Sequence, residues 1–240
     1  MTRVSRAEQE QIETMTRGQS CNDQWRLSRV NRLTASNFGR VVKMRSSTSP
    51  HNTVISLLYP DNIDHLPAVI HGKKNEALAL DCLNKILASQ KKKVEPCGLF
   101  IDVDTGYLAA SPDGVVDDGE TIVEIKCPIK LLDNTVDDLV STDPTFCLEV
   151  ADKEGGMSEV RLKRNHNYYY QIQGQLHCSR REKCLLMVWS PTEHHLETIF
   201  YDSQLWSQMS ESLESFYLDF MLPEIVDPRA PRGLKIRETE

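Results

Sequence analysis

The sequence predicts an α/β (α+β) domain in which a central mixed β-sheet is flanked by helices. Short apolar strands separated by turn residues fill the middle of the chain, and stretches with helical periodicity precede and follow them. Size is the third observation, because 240 residues with 40% apolar content suffice for one packed core but hardly for two. We therefore expect a single domain over 1–240, with a helical N-terminal extension at 1–24, a core at 25–222 and a C-terminal tail at 223–240.

Composition excludes several classes of protein. The formal net charge of −7 and the isoelectric point near 5.6 are unlike those of non-specific nucleic-acid binders, so any phosphate-binding surface must be local. The seven cysteines are irregularly spaced and form no CxxC pair, which argues against disulfides and against zinc ligation by cysteine. No apolar run approaches the roughly 18 residues that a membrane span needs. We expect an intracellular protein, nuclear or cytoplasmic, without a membrane partner.

Two predicted helices open the chain. A capping box at Ser5 and Glu8 predicts a surface helix. A second helix is expected to begin at Thr34 to Ser36, because these side chains are good N-caps. The stretch 43–65 is polar with one short apolar run, which predicts a loop carrying a short helix.

Arg29 and Arg32 lie just ahead of this second helix. With the hydroxyls of Thr34 and Ser36 and the free N–H groups of a helix N-terminus, they would form a cradle for a phosphate. A capped surface helix with solvated arginines explains the same residues. The residues alone leave both interpretations open.

The stretch 71–90 predicts a long helix. It is rich in strong helix formers, and Leu80, Leu83 and Leu87 fall at helical spacing. Glu76 lies one turn before Leu80 on the same stripe. It is either a solvated first-turn glutamate favoured by the helix dipole or an inward-pointing functional acid.

Residues 111–127 (SPDGVVDDGETIVEIKC) predict two strands joined by a DG turn. In this register Asp113 lies opposite Glu124, with Cβ atoms roughly 4.5–5.5 Å apart. Side chains alternate along a strand, so Lys126 shares the face of Glu124. Because like charges at this separation repel, we expect a positive partner that neutralises them.

A hard divalent cation is the natural partner for such an acid pair. Mg²⁺ prefers oxygen ligands, uses one or two carboxylates and keeps water or substrate phosphate in its other positions. Lys126 could hold a water nucleophile or stabilise charge developing on a phosphate. These parts suit metal-assisted phosphodiester hydrolysis, although an isolated D…ExK pattern is also typical of a solvated hairpin with ordinary surface charges.

The rest of the chain completes the sheet and its cover. We expect further strands on either side of Thr105 and of Pro191, a loop at 131–160, a helix at 166–180 with Tyr169, Ile172 and Leu176 inward, and a helix from Asp202 to about Leu222.

The order of these motifs resembles one known family. SPDG followed by VEIKCP, preceded by a GKKNE helix and followed by a YYYQIQGQL helix, is similar to the YqaJ-type viral recombinase group of the PD-(D/E)XK nuclease superfamily, to which phage lambda exonuclease belongs. The similarity runs from about Trp25 to Trp189. It implies a restriction-endonuclease-like core.

The resemblance also implies a metal site. Asp113 and Glu124 would bind the metal with the backbone carbonyl of Ile125, and Glu76 would be the acid of the first helix. Lys126 would be the lysine of the ExK element. Two further residues come from the glutamine-rich helix: Gln171 would support the site, and Tyr168 would lie one turn before it.

A second implied site binds the terminal 5′ phosphate of DNA. The segment WRLSRVNRLTAS resembles the part of the family with this role, which makes Arg29 and Ser36 phosphate anchors. Arg32 and Thr34, beside them, are candidates because a guanidinium and a hydroxyl can both donate hydrogen bonds to a phosphate.

The implied activity is that of a Mg²⁺- or Mn²⁺-dependent deoxyribonuclease, acting as a 5′-to-3′ exonuclease on double-stranded DNA ends in recombination or DNA processing. An endonuclease on DNA or RNA with the same core, and a non-catalytic module that binds DNA ends, are the alternatives. A single-strand annealing protein is a candidate partner, and a homo-oligomer is left open. Whether Asp102 or Asp104 assists the metal is also left open.

Overall fold

The computed structural model describes residues 3–152 and 158–237. Its strands are β1 (Leu33–Thr34), β2 (Val94–Glu95), β3 (Phe100–Ile101), β4 (Leu108–Ala110), β5 (Gly114–Val116), β6 (Thr121–Lys126), β7 (Leu148–Asp152), β8 (Ser158–Leu162), β9 (Lys183–Trp189) and β10 (His194–Phe200). Its α-helices are α1 (Arg6–Met15), α2 (Asp23–Arg29), α3 (Phe38–Val42), α4 (His51–Leu58), α5 (Pro67–Ala88), α6 (Val136–Thr142), α7 (Asn167–Ser179), α8 (Ser203–Phe216) and α9 (Leu222–Val226).

A five-stranded mixed sheet forms the centre of the fold. Its order is β10-β9-β6-β5-β2, with β6 and β9 parallel and the other neighbours antiparallel. A smaller sheet has the order β1-β4-β3, with β1 parallel to β4, and β7 pairs with β8 as a separate antiparallel ribbon. The α/β (α+β) class with a central mixed sheet is therefore confirmed.

Helices α5 and α7 cover opposite faces of the central sheet. Val123 of β6 belongs to the same core cluster as Leu83 of α5. Ile122, its neighbour in the strand, packs in a cluster with Ile172 of α7. Because side chains alternate along β6, Glu124 lies on the α7 side of the sheet.

The long helices match their predicted positions closely. The three residues expected to face inward on α7 are buried, and so are Met209, Leu213 and Phe216 of α8. Helix α5 starts earlier than predicted, at Pro67, since proline is well tolerated in a first helical turn. None of the described helices combines the length and apolar character needed to cross a bilayer.

The prediction of a loop over 131–160 is wrong. A capping box between Thr135 and Asp138 starts α6, and Leu139 and Phe146 are buried in the cluster beneath α7. The polar sequence hid these elements because their stability comes from contacts with distant residues. Positions 153–157 of this stretch lie outside the described residues.

Helical structure does begin within the predicted start at Thr34 to Ser36, but neither of these two hydroxyls caps it. Thr34 ends β1, where it pairs with Ala109, and its side chain caps no helix. A 3₁₀ turn over Ala35–Asn37 follows, and α3 begins at Phe38. The parallel pairing with a strand far along the chain overrides the local capping preference.

Helix α1 covers the edge of the smaller sheet. The Glu13 carboxylate accepts a hydrogen bond from the Gly98 N–H at 2.9 Å, and the Thr16 hydroxyl accepts one from the Leu99 N–H at 2.8 Å. These side chains satisfy backbone groups that an uncovered edge would expose. The segment ahead of residue 25 therefore packs against the sheet, and at the other end of the chain Ile236 is buried as well.

Candidate active site

The β5–β6 hairpin has the register that the sequence predicts. Gly114 pairs with Val123, and the Asp113 N–H donates to the Val123 carbonyl at 2.9 Å. At the turn, Gly119 has a φ of +73°, a left-handed conformation that favours glycine. Continuing this register places Asp113 beside Glu124, as expected.

Glu124 is held by three donors. Its Oε1 accepts hydrogen bonds from Gln171 Nε2 at 2.6 Å and from Lys126 Nζ at 2.5 Å, and its Oε2 accepts one from Gln175 Nε2 at 2.6 Å. The side chain is only 1% exposed. A buried carboxylate needs such donors in place of the water it has lost, so these contacts hold the Glu124 side chain in position at the end of β6.

Lys126 is the cationic donor among these three. Although burial opposes its charged form, the carboxylates of Glu124 and Asp113 raise the pKa of Lys126 above its usual range. Its Nζ also lies 4.7 Å from the centre of the Tyr168 ring, within the range of a cation–π contact. Lys126 is thus an ammonium group in the folded protein.

Asp113 and Glu76 are less completely paired. Asp113 Oδ2 accepts a hydrogen bond from the Ile125 N–H at 2.6 Å, and Oδ1 has no donor among the described residues. Burial, and then the negative charge of Glu124, raise the pKa of Asp113 well above its ordinary value. Glu76 lies on the exposed side of α5, and partial burial followed by the charge of Glu124 raises its pKa as well.

A cavity of about 300 Å³ joins these groups; we call it the acidic cavity. Its lining includes Glu76 from α5, Asp113 and Lys126 from the hairpin, and Tyr168 from α7. Glu124 is not part of the lining but lies beneath it, in contact with Lys126. The N-terminal half of α5, the first turn of α7 and the end of β6 therefore converge at one place.

The oxygens at this cavity suit a hard cation. Three of about four lone-pair positions of the Glu124 carboxylate are used, which leaves one on Oε2. Asp113 Oδ1 is also available, and Ile125 lines the cavity. Across residues 3–152 and 158–237, no three His, Cys, Asp or Glu side chains form a preformed metal centre. Carboxylate oxygens are the ligands that a hard cation such as Mg²⁺ prefers, and Mg²⁺ needs only one or two of them.

A second cavity, of about 310 Å³, contains the predicted phosphate anchor; we call it the arginine cavity. The Arg29 guanidinium stacks 4.1 Å from the Trp25 ring and lies 3.5 Å from the Thr34 hydroxyl. Burial lowers the pKa of Arg29 to about 10, and among the described residues it faces no carboxylate. A largely desolvated cation without an acid partner is a good site for an anion.

The other two predicted anchors are placed differently. Arg32 lines the arginine cavity, but it donates to the Gly106 carbonyl at 3.0 Å and to the Ser28 carbonyl at 2.5 Å. Ser36 is exposed, with its hydroxyl 3.4 Å from that of Thr34. Arg32 is thus engaged with the backbone, whereas Arg29 is free to bind a ligand.

Sequence reasoning missed two contributors to these sites. Gln175 bonds Glu124 directly, and the only signal for it was its position one turn after Gln171. Trp25 supports Arg29 and donates from Nε1 to the Ser111 hydroxyl at 2.8 Å, two residues before Asp113. This hydrogen bond connects the arginine cavity to the hairpin of the acidic cavity.

Asp102 and Asp104 do not line the acidic cavity. Asp102 is buried, accepts a hydrogen bond from the Thr105 hydroxyl at 2.8 Å and lies 3.4 Å from His177 Nε2. Asp104 forms an ion pair with Arg180. Both are therefore engaged elsewhere.

The sequence and the fold are similar to those of known proteins. An alkaline nuclease of Orgyia pseudotsugata multicapsid polyhedrosis virus is 30% identical over 187 residues, which cover 74% of this chain and 42% of that protein. The alkaline exonuclease LHK-Exo of Laribacter hongkongensis has a similar fold, with a TM-score of 0.63 and 20% identity over 88% of this chain and 98% of that chain.

SOX, the shutoff and exonuclease protein of Kaposi's sarcoma-associated herpesvirus, also shares the fold. Its complex with DNA has a TM-score of 0.58 and 11% identity over 88% of this chain and 70% of that chain. Its complex with RNA has a TM-score of 0.55 at the same identity, over 87% of this chain and 72% of that chain.

The family assignment rests on sequence. The chain spans less than half the length of the curated relatives it matches, 42% of one and 32% of another. A sequence profile described as viral alkaline exonuclease matches residues 3–141, more than half of the chain. The expected resemblance is confirmed, and the chain belongs to the viral alkaline exonuclease family.

Proposed function

We propose that the protein is a metal-dependent deoxyribonuclease that hydrolyses phosphodiester bonds, acting as a 5′-to-3′ exonuclease on double-stranded DNA ends in recombination or DNA processing inside the cell. The observation that carries this proposal is the acidic cavity, where Asp113 and Lys126 of one hairpin face Glu76 of α5 above the buried Glu124. Carboxylates and a charged lysine in one cleft are the parts that phosphodiester hydrolysis needs.

The metal would be Mg²⁺ or Mn²⁺. Asp113 Oδ1, Glu124 Oε2 and the carbonyl of Ile125 would hold it, with Glu76 at the rim of the cavity. The chemistry supplied by such a cation is polarisation of the scissile phosphate and a lower pKa for the attacking water.

The residues of the chain supply orientation and positive charge. Lys126 would hold the attacking water and offset the negative charge that develops on the phosphate. Contacts with the ring of Tyr168 and the carboxylate of Glu124 hold the Lys126 ammonium in position for this role. Gln171 holds Glu124 from α7, so the carboxylate keeps its place when Lys126 engages the substrate.

The arginine cavity would select the DNA end. A terminal 5′ phosphate carries more negative charge than an internal one, and Arg29 lacks an acid partner among the described residues. The Thr34 hydroxyl beside it would add a donor. Binding the 5′ end there while the acidic cavity cuts gives the proposed polarity.

A time course on three DNA substrates tests this proposal. Linear duplexes with a 5′ phosphate or a 5′ hydroxyl, and a covalently closed circle, are incubated with Mg²⁺ or with chelator. We expect nucleotide release from linear DNA only, fastest with the 5′ phosphate, and none with chelator. Lys126→Ala should lower the rate by about 10²–10³-fold, as when one transition-state donor is removed.

The matched control is Lys92→Ala. Lys92 pairs with Asp118 at the turn of the same hairpin at 3.0 Å and does not line the acidic cavity. It should leave the rate unchanged. Robust cutting of the closed circle would favour an endonuclease, and binding of DNA ends without nucleotide release would favour a non-catalytic module.

A further inference from the structure

Gln175 contacts the acidic site in a way that the proposed roles do not explain. Gln171 and Gln175 lie one turn apart on α7, and each donates a 2.6 Å hydrogen bond to a different oxygen of Glu124. Gln175 is 1% exposed and Glu124 equally buried. Two side-chain amides of one helix thus donate hydrogen bonds to both oxygens of a single carboxylate.

The two oxygens are not equally supported. Oε1 accepts from Gln171 and also from Lys126, whereas Gln175 is the one donor to Oε2 among the described residues. If Lys126 turns toward a substrate, Oε1 keeps a donor. Oε2 has no substitute for Gln175, so the rotation of the carboxylate depends on this residue.

The side-chain carbonyl oxygen of Gln175 argues against a purely structural role for this residue. Its carbonyl oxygen is buried and has no hydrogen-bond partner among the described residues. A buried acceptor left unpaired is unfavourable, and folded proteins seldom retain one without cause. Here the amide is oriented by its donor end, which serves Glu124.

Gln173 provides the contrast within the same helix. It is also buried, but its Nε2 donates to the Phe200 carbonyl at 3.0 Å and its Oε1 accepts from the Asp202 N–H at 2.8 Å. Both ends of this amide bind backbone, and neither touches the acidic site. Gln173 therefore joins α7 to the end of β10.

We propose that Gln175 is a positioning residue for Glu124, which fixes the plane of the carboxylate so that Oε2 meets a divalent cation in one orientation. This inference rests on the proposed function. Hydrogen bonds from residues behind a metal ligand set its orientation and its affinity for the metal. Gln175 would act through Glu124 and would not itself touch metal or DNA.

The experiment compares Gln175→Met with Gln173→Met in the full chain. Methionine keeps the length of the side chain and removes the donor. Mn²⁺ binding is measured by calorimetric titration without DNA, and thermal unfolding is followed in chelator. We expect the Kd for Mn²⁺ to rise about 10- to 100-fold in Gln175→Met, while its Tm falls by less than about 4 °C. Gln173→Met should lower the Tm and leave the Kd unchanged.

Each outcome bears on a different claim. Wild-type Mn²⁺ binding with an unchanged Kd in Gln175→Met would overturn the role of Gln175 and leave the proposed function standing. An equal loss of affinity in Gln173→Met would overturn it too, since a general loosening of α7 would then be the cause. Absence of Mn²⁺ binding by the wild type would overturn the metal-dependent function and this role together. Gln175→Leu supplies a second donor-free variant if the methionine variant does not fold.

Discussion

The acidic cavity and the arginine cavity have similar volumes, about 300 and 310 Å³, but they differ in whether their charged side chains form ion pairs. In the acidic cavity, the Glu124 carboxylate and the Lys126 ammonium are paired 2.5 Å apart. In the arginine cavity, Arg29 is stacked on Trp25 and meets no acid among the described residues. In the first site, Glu124 and Lys126 compensate each other and are held in fixed positions, while one oxygen of Asp113 has no donor among the described residues. The second is uncompensated, so its charge is available to a ligand.

The two cavities are also mechanically connected. Trp25 of the arginine cavity bonds Ser111, just ahead of the hairpin that carries Asp113. Helix α7 forms a second connection. Its Gly174 packs against Phe38, the residue that follows Asn37 in the lining of the arginine cavity, and its Gln171 donates a hydrogen bond to Glu124. A DNA end held at one cavity would thus be presented to the other in a defined orientation.

Among the tests of this contrast between the two cavities, the largest expected effect comes from removing the uncompensated charge of Arg29. Arg29→Met should weaken binding of a duplex with a 5′ phosphate by about 10- to 100-fold, the loss expected for a hydrogen bond to a charged group. Binding of the 5′-hydroxyl duplex should change little. Equilibrium binding of the two duplexes in chelator, where no cleavage occurs, measures both values.

Arg32→Met is the matched control for this contrast. Since Arg32 donates to two backbone carbonyls, its loss should reduce the free energy of unfolding by about 1–3 kcal/mol. The ratio of affinities for the two duplexes should stay at the wild-type value. If Arg32→Met abolishes the preference for the 5′ phosphate and Arg29→Met does not, the comparison between a free and an engaged arginine is wrong.

The parts that sequence predicted well are those set by local rules. The register that brings Asp113 beside Glu124 follows from strand alternation and a tight glycine turn, both confined to a short stretch. The spacing of apolar residues likewise located α5, α7 and α8 to within a few residues. Local patterns were therefore enough for the hairpin that carries the acids.

The parts that sequence missed depend on distant contacts. Gln175 reaches Glu124 across 51 positions in the chain, and no local pattern reports that contact. Thr34 has the chemistry of a helix cap, but pairing with Ala109 makes it the end of a strand. The same cause hid α6 and the β7–β8 ribbon, whose apolar residues find their partners under α7.

Gly174→Ala tests the mechanical connection between the cavities. A Cβ at this position would overlap the Phe38 ring, which is itself fully buried. We expect a loss of about 1–3 kcal/mol in the free energy of unfolding, typical of overpacking. Chemical denaturation measures it.

Gly72→Ala is the control, and we expect it to raise the free energy of unfolding where Gly174→Ala lowers it. Gly72 lies in α5, and an added Cβ there would meet no atom within 4 Å. Alanine should stabilise the helix by about 0.5–1 kcal/mol.

The double variant Gly174→Ala/Phe38→Leu tests whether Phe38 is the cause. Because leucine is smaller than phenylalanine, this variant should recover part of the free energy of unfolding that Gly174→Ala loses. Purely additive effects would show that Phe38 is not the obstacle.

The smallest expected effect concerns the internal compensation of the acidic cavity. Burial and the charge of Glu124 raise the pKa of Asp113, so in the absence of metal the folded protein binds a proton there more tightly than the unfolded chain does. Stability from this group is present at low pH and is lost as pH rises from about 4, the ordinary value for aspartate, through the raised pKa. Asp113→Asn removes this penalty and should add about 0.5–2 kcal/mol to the free energy of unfolding at pH 8 in chelator, with a smaller gain at pH 4.5.

Asp118→Asn on the same hairpin should behave in the opposite way. Although burial opposes ionisation, hydrogen bonds from the Glu120 N–H and from Lys92 lower the pKa of Asp118. Its contribution is therefore present above the unfolded pKa and lost as pH falls, so the asparagine variant should lose stability at pH 8. Urea unfolding at pH 8 and at pH 4.5 measures the free energy of unfolding of both variants and tests these two expectations. A loss of stability at pH 8 in Asp113→Asn would mean that Lys126 and the Ile125 N–H already compensate both acids, and that the acidic cavity does not depend on a divalent cation for its balance of charge.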